Sequence, residues 1–195
     1  MERLRHTGNA VTRPPSLQQK YLQETIRKRY GDETQFMHRF TIGHEKTYCT
    51  HVWRCVLGTA PTMGQVNAAY GGHTASAWLV PFLWDVSEFC GCKEKFTKEQ
   101  MEELAYVIVE GYPWLRVTEM MLFFWWLKGG RYGKFYGAVD PMVITAALRD
   151  FVKDRNAIIA RHDSMEAERK QAEWRKRAIT YEQYKAKHAH EEIGD

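Results

Sequence analysis

At 195 residues, with 44% apolar and 13% aromatic residues, the chain has enough large side chains to bury one core without staples, which argues against a disordered or disulfide-held class. No apolar run follows Met1, and the longest such run, Met120–Leu127, is far short of the ~20 residues a spanning helix needs, so export and membrane insertion are not expected. The net charge of +4 is mild, and four Cys without a secretion signal fit a reduced, cytoplasmic setting.

The charge is unevenly spread. Arg3, Arg5, Arg13, Lys20, Arg27, Lys28 and Arg29 face only Glu2 and Glu24 in the first 30 residues, so a flexible basic arm over residues 1–15 is expected ahead of the core. Ser16 stands three residues before Gln19, a capping box that would open a helix to about Tyr30, with Gly31 as its stop. The cluster Arg27, Lys28, Arg29 then falls at a helix C-terminus, where the macrodipole favours cations.

Glu45–Leu57 reads as one helix with the stripe Tyr48, Val52, Trp53, Val56 and Leu57, ended by Gly58. Pro61 and Thr62, with Gln65 in capping-box position, open a short helix closed by Gly71 and Gly72. These two helices could make a helix-turn-helix, yet the second carries no Arg or Lys and offers only Gln65 and Asn67 as base readers. Thr74–Phe89 has Trp78, Leu79, Phe82 and Val86 at helical spacing, although Pro81 should break or kink it.

Thr97 and Gln100 cap a helix that places Met101, Leu104, Ala105 and Ile108 on one side and ends at Gly111 and Pro113. From about Thr118 to Lys128 the chain is apolar on nearly all sides, as expected of a helix at the centre of a bundle, and it stops at Gly129 and Gly130. Asp140 as N-cap and Pro141 at the first position open a last helix with Ile144, Leu148, Phe151, Val152 and Arg155 along one face. Beyond Ile159 the apolar stripe fades into balanced charge, with Trp174, Ile179, Tyr181 and Tyr184 left to bury. The expectation is therefore an all-α chain: a basic arm over 1–15, one helical bundle domain over 16–159 and a charged helical extension over 160–195.

The segment from Lys128 to Asp140, KGGRYGKFYGAVD, mixes four glycines with Arg131 and Lys134 and the rings Tyr132, Phe135 and Tyr136. Glycine and cation allow close approach to phosphates and the rings can stack bases, so Arg131, Tyr132, Lys134 and Tyr136, with Arg27, Lys28 and Arg29, are the expected nucleic-acid contacts. The plainer reading is a packed interhelical connection. The charged C-terminal helix, through Trp174, Arg175 and Arg177, is the expected protein-binding surface.

His44, Cys49, His51, Cys55 and His73 lie close in sequence, but the Cys spacings suit zinc poorly, and no metal or cofactor is expected. No nucleophile elbow or paired metal-binding His motif occurs; Asp85 and Glu88 are spaced to pair across one helical turn, and Glu102, Glu103 and Glu110 lie on a helix whose exposed face would hold them. No catalytic residue is expected.

Leu115, Thr118 and Glu119 leading into the aromatic helix, then Lys128, Gly130, Tyr132, Gly133, Phe135, Tyr136 and Gly137, then Asp140, Pro141, Leu148, Phe151 and Arg155 carry a resemblance. Over Phe96 to Asn156 the chain resembles uncharacterised proteins of Bacteroides-type bacteria and their phages and conjugative elements. That resemblance implies a mobile-element setting, in which the expected role is a non-catalytic replication accessory that touches DNA or RNA or a replicative helicase. The alternative is a protein-binding regulator or inhibitor of a host protein acting through the C-terminal helix.

Overall fold

Local capping chemistry sets where most helices begin. In the computed structural model, which describes residues 16–178 and 183–184, the side chains of Ser16 and Gln19 exchange hydrogen bonds with each other's backbone N–H and open α1, Leu17–Tyr30. Residues 1–15 of the expected arm, and most of the tail beyond Ala178, lie outside the described residues. Asp32 and Gln35 make the same reciprocal pair and open α2, Glu33–Arg39, a helix not expected from the sequence. Its Phe36, with Phe40 just beyond it, is buried against Tyr30, Tyr48 and Tyr70.

A 3-10 turn over Ile42–His44 leads into α3, Glu45–Cys49, and the chain then breaks before α4, Val52–Leu57. The single helix expected over Glu45–Leu57 is thus two. Thr50 turns its hydroxyl back to donate to the Lys46 carbonyl, and His51 adopts a non-helical ψ of 85°, so the ladder is interrupted. The break also redistributes the stripe: Cys49, Cys55 and Val56 are buried, whereas Trp53 and Leu57 are exposed.

Thr62 and Gln65 cap α5, Met63–Tyr70, whose Met63, Val66 and Ala69 are buried and which packs on α1. Helix α6, Thr74–Phe89, runs unbroken through Pro81 and buries Trp78, Leu79, Phe82, Leu83 and Val86. Pro81 is exposed, so its ring meets solvent and the core-facing side of the helix keeps its packing. Thr97 and Gln100 cap α7, Lys98–Gly111, which lies against α6 with Met101, Leu104, Ala105 and Ile108 inward, as the periodicity predicts.

Helix α8, Val117–Lys128, is the axis of this unit. Every residue from Val117 to Phe124 is buried, and α3, α4 and α6 pack around it. Phe124 stacks on Phe82 at 5.5 Å and Phe123 meets Phe151 edge-on at 5.6 Å. Helix α9, Pro141–Arg177, is capped by Asp140, whose side chain accepts from Met142 N–H at 2.7 Å.

Contacts divide the chain into residues 1–151 and 152–195. In the first unit α9 buries Ile144, Ala147, Leu148 and Phe151. In the second, helical side chains from Gln171 to Arg177 are exposed. Among the described residues no strand forms, only isolated bridges of Thr62 with Arg116 and Glu94 with Ala138, and the all-α expectation holds. No helix among them is long and apolar enough to cross a membrane.

Candidate nucleic-acid interface

The loop after α8 is shaped at both ends by its backbone. Gly130 N–H donates to the Leu127 carbonyl and Arg131 N–H to the Trp126 carbonyl, at 3.0 and 3.1 Å, which is a Schellman motif with Gly130 at φ 76°. Trp126 also receives the Arg131 guanidinium, whose carbon lies 4.0 Å from the ring centroid. At the far end Val139 N–H donates to the Glu94 carbonyl at 3.1 Å, tying the loop to the segment between α6 and α7.

Between these anchors lie the expected contact residues. Tyr136 is 87% exposed, Arg131 and Lys134 are exposed, and Tyr132 is half-buried with its ring 6.2 Å from that of Phe123. Gly133 and Gly137, like Gly130, sit at positive φ, so the turn itself requires them; a ligand would take advantage of the open space beside each rather than explain it. Lys134 and Phe135 also line a cleft of about 300 Å³ floored by Val86, Phe89 and Leu127.

Beneath the loop, Lys128 holds it to the core. Its ammonium bonds to Glu45 of α3 and, at 2.6 Å, to Asp85 of α6, with side-chain exposures of 13%, 4% and 28% for Lys128, Glu45 and Asp85. Burial raises the Glu45 carboxyl, with Lys128 opposing it only in part and Asp85 adding to it, and Oε1 has no hydrogen-bond partner among the described residues. For Lys128 burial works against the charge, yet the bonds to Asp85 and Glu45 outweigh it and the ammonium titrates above the ordinary lysine range. The two shifts differ in meaning: the pair is well matched at the ammonium and incompletely satisfied at the carboxylate.

The other expected residues lie elsewhere. Arg27, Lys28 and Arg29 are exposed at the end of α1, where Arg27 Nε donates to the Ala69 carbonyl at 2.8 Å and Arg29 to the Thr59 hydroxyl at 2.6 Å. These two bonds tie α1 to α5 and to the Thr59 segment, and Arg29 lines a cleft different from that of Lys134. Trp174, Arg175 and Arg177 are exposed on α9 in the second unit, Trp174 at 71%. The helix-turn-helix reading loses its base readers, because Gln65 caps α5 and Asn67 accepts from Ala75 N–H at 2.8 Å. Asp85 serves Lys128 and Glu88 faces Lys95 at 3.6 Å, so they do not act as a pair.

Cys49 and Cys55 are brought together in the core, and Cys49's thiol is raised first by its hydrogen bond to Cys55 and then by burial. Among the described residues no three His, Cys, Asp or Glu side chains gather as a metal would require. Two features escaped the sequence reading: the Glu45, Asp85, Lys128 triad, and a cleft where Arg39 and Arg54 join Arg29. Both assemble residues from three helices, and no local spacing signals them.

The chain belongs to a family of unknown function (DUF6633), whose model matches residues 95–193. That range begins at the segment that anchors the loop and includes α7, α8, the loop and α9. No curated protein and no solved structure matches the chain.

Proposed function

We propose a non-catalytic accessory protein of a phage or mobile element, associated with nucleic acid or with a replicative helicase, and of these the loop favours nucleic acid. The observation that supports this reading is the exposed Tyr136 ring on a loop that is anchored at both ends and carries exposed Arg131 and Lys134. A ring presented to solvent on an anchored loop gives a base a face to stack on, and the flanking cations suit the backbone phosphates. Such a platform favours single strands, whose bases are free to stack. The mobile-element setting rests on the resemblance carried by residues from Phe96 to Asn156.

Fluorescence anisotropy with labelled single- and double-stranded DNA and RNA over a salt series tests it. Tyr136→Ala should weaken single-strand binding by about 5- to 150-fold, the stacking contribution of ~1–3 kcal/mol. Lys134→Ala should weaken all sequences alike and lower the salt slope by about one. Absence of binding at low salt refutes the reading.

A second reading, a protein-binding regulator or inhibitor of a host protein, draws support from Trp174, a large ring exposed on a charged helix beside Arg175 and Arg177. Under it, truncation after Ile159 abolishes partner capture while the loop variants leave it unchanged.

A further inference from the structure

Helix α8 has a second functional end. The loop interface follows its C-terminus at Lys128, whereas Thr118, near its N-terminus and roughly 15 Å away at ~1.5 Å per residue, borders a separate cleft of about 340 Å³. Arg29 of α1, Arg39 of α2 and Arg54 of α4 line that cleft with Thr47, Tyr48 and Thr59. Among the described residues no Asp or Glu lines it. Among the described residues none of the three arginines makes an ion pair.

Three guanidiniums gathered at one cleft repel one another, and among the described residues no carboxylate of the cleft offsets that repulsion. Arg29 and Arg39 both lie over the same Tyr30 ring, their carbons 5.5 and 5.4 Å from its centroid. The ring holds the two side chains in place, and Tyr30's own hydroxyl is fixed by donating to the Thr59 carbonyl at 3.2 Å. Burial raises the Tyr30 phenol while Arg29, Arg39 and Arg116 pull against it, so several cations act at one point. Arg116 borders an adjoining cleft that shares Arg29, Tyr30 and Thr59, and its Nη1 donates to the Ala60 carbonyl at 2.7 Å. Glu119, the nearest carboxylate on α8, is fully buried, accepts from Arg116 N–H, and lines neither cleft.

We propose that this cleft, separate from the loop interface and independent of its assignment, binds a terminal phosphate or a polyphosphate. Arg29 and Arg39, held by the Tyr30 ring, together with Arg54 match two or more closely spaced negative charges, and their planar forks suit the oxygens of a phosphate. The hydroxyls of Thr47 and Tyr48 on the same wall can serve the remaining oxygens. A phosphodiester within a strand carries one charge and would leave the cluster undercompensated. The cleft volume falls at the lower end of that of small-ligand sites, suiting a nucleoside polyphosphate or the 5′-phosphate end of a strand.

Isothermal titration calorimetry of the full chain with inorganic pyrophosphate at low salt is the test. Binding is expected, with Arg39→Gln and Arg54→Gln each weakening it about tenfold or more, as for a lost charge-assisted hydrogen bond. Arg54 is exposed and makes no ion pair among the described residues, so Arg54→Gln should fold normally and remains decisive if Arg39→Gln is unstable. An Arg131→Ala, Lys134→Ala variant should bind pyrophosphate as the parent does, which separates this site from the loop. In a second arm, an oligonucleotide with a 5′-phosphate is compared with its 5′-hydroxyl form. A preference lost in Arg54→Gln identifies a strand end as the source, and equal binding beside intact pyrophosphate binding identifies a free polyphosphate. No heat with pyrophosphate, or binding unchanged in Arg54→Gln, overturns the proposal.

Discussion

Replacing Lys128 with Met removes the one cation that serves both Glu45 and Asp85. Glu45 is only 4% exposed in its side chain and already has one oxygen without a partner, so the variant buries a carboxylate with neither oxygen paired. Breaking a buried pair from one side costs about 3–5 kcal/mol, and for a chain of this size each kcal/mol lowers Tm by about 2–4 °C, so a fall of roughly 6–20 °C is expected. Thermal and urea denaturation followed by circular dichroism measure it. Adding Glu45→Gln to Lys128→Met should return most of the loss, because the uncompensated charge is then gone. A loss below about 1 kcal/mol, the size of an exposed pair, would refute the description of this triad as buried and structural. The pH dependence has a definite sign. Lys128's raised pKa gives stability that is complete below the ordinary lysine value and lost as pH rises through the raised one. Glu45's carboxyl is also raised, by burial, so ionising it costs stability as pH rises above the ordinary glutamate range. The parent should therefore weaken on the alkaline side, and Lys128→Met should lose that alkaline slope while steepening the acidic one.

Pro81→Ala should stabilise the protein by up to about 3 kcal/mol, since α6 carries an exposed proline in its interior and alanine restores a hydrogen-bond donor there; urea denaturation reads it, and a destabilised variant would show that α6 packing depends on the proline. Cys49, raised by Cys55 and buried, should resist iodoacetamide at mildly alkaline pH in the folded protein and react only on unfolding, whereas the less buried Cys90 reacts first; mass spectrometry of labelled peptides decides the order.

What was legible in the sequence was local. Ser16 with Gln19, Thr62 with Gln65 and Thr97 with Gln100 each specify a helix start through bonds between residues three apart, and the structure forms all three. The all-round apolar character of Met120 to Phe124 placed α8 at the centre for the same reason: burial on every side leaves no polar face. Asp32 with Gln35 carries an equal signal, but it follows directly on Gly31, whose role as the stop of α1 masks the start of a second helix one residue later. The interruption at Thr50 and His51 was hidden because an apolar period continues across it, and a weak local preference was enough to override that period. Of the loop, exposure of Tyr136 and Lys134 was legible from composition, while the Schellman turn and the Glu94 anchor needed the backbone path. The arginine cleft was not legible at all. Arg29, Arg39 and Arg54 are far apart in sequence, and each alone resembles a solvated surface residue.

The break between α3 and α4 connects these observations. In one continuous helix six residues turn the chain through about 600°, so Cys55 would face roughly 120° away from Cys49. The interruption turns Cys55 inward beside Cys49, and its carbonyl then accepts from the Thr118 hydroxyl at 2.8 Å, fixing the N-terminal end of α8. Arg54, next to Cys55, is thereby placed on the cleft beside Thr118. Before the break, Glu45 reaches Lys128 at the other end of α8. A helix of twelve residues is thus held near its N-terminus by α4 and at its C-terminus by α3, one end bordering the arginine cleft and the other leading into the loop. Because the two ends are held by different bonds, Lys128→Met should loosen the loop and weaken nucleic-acid binding while pyrophosphate binding at the arginine cleft persists.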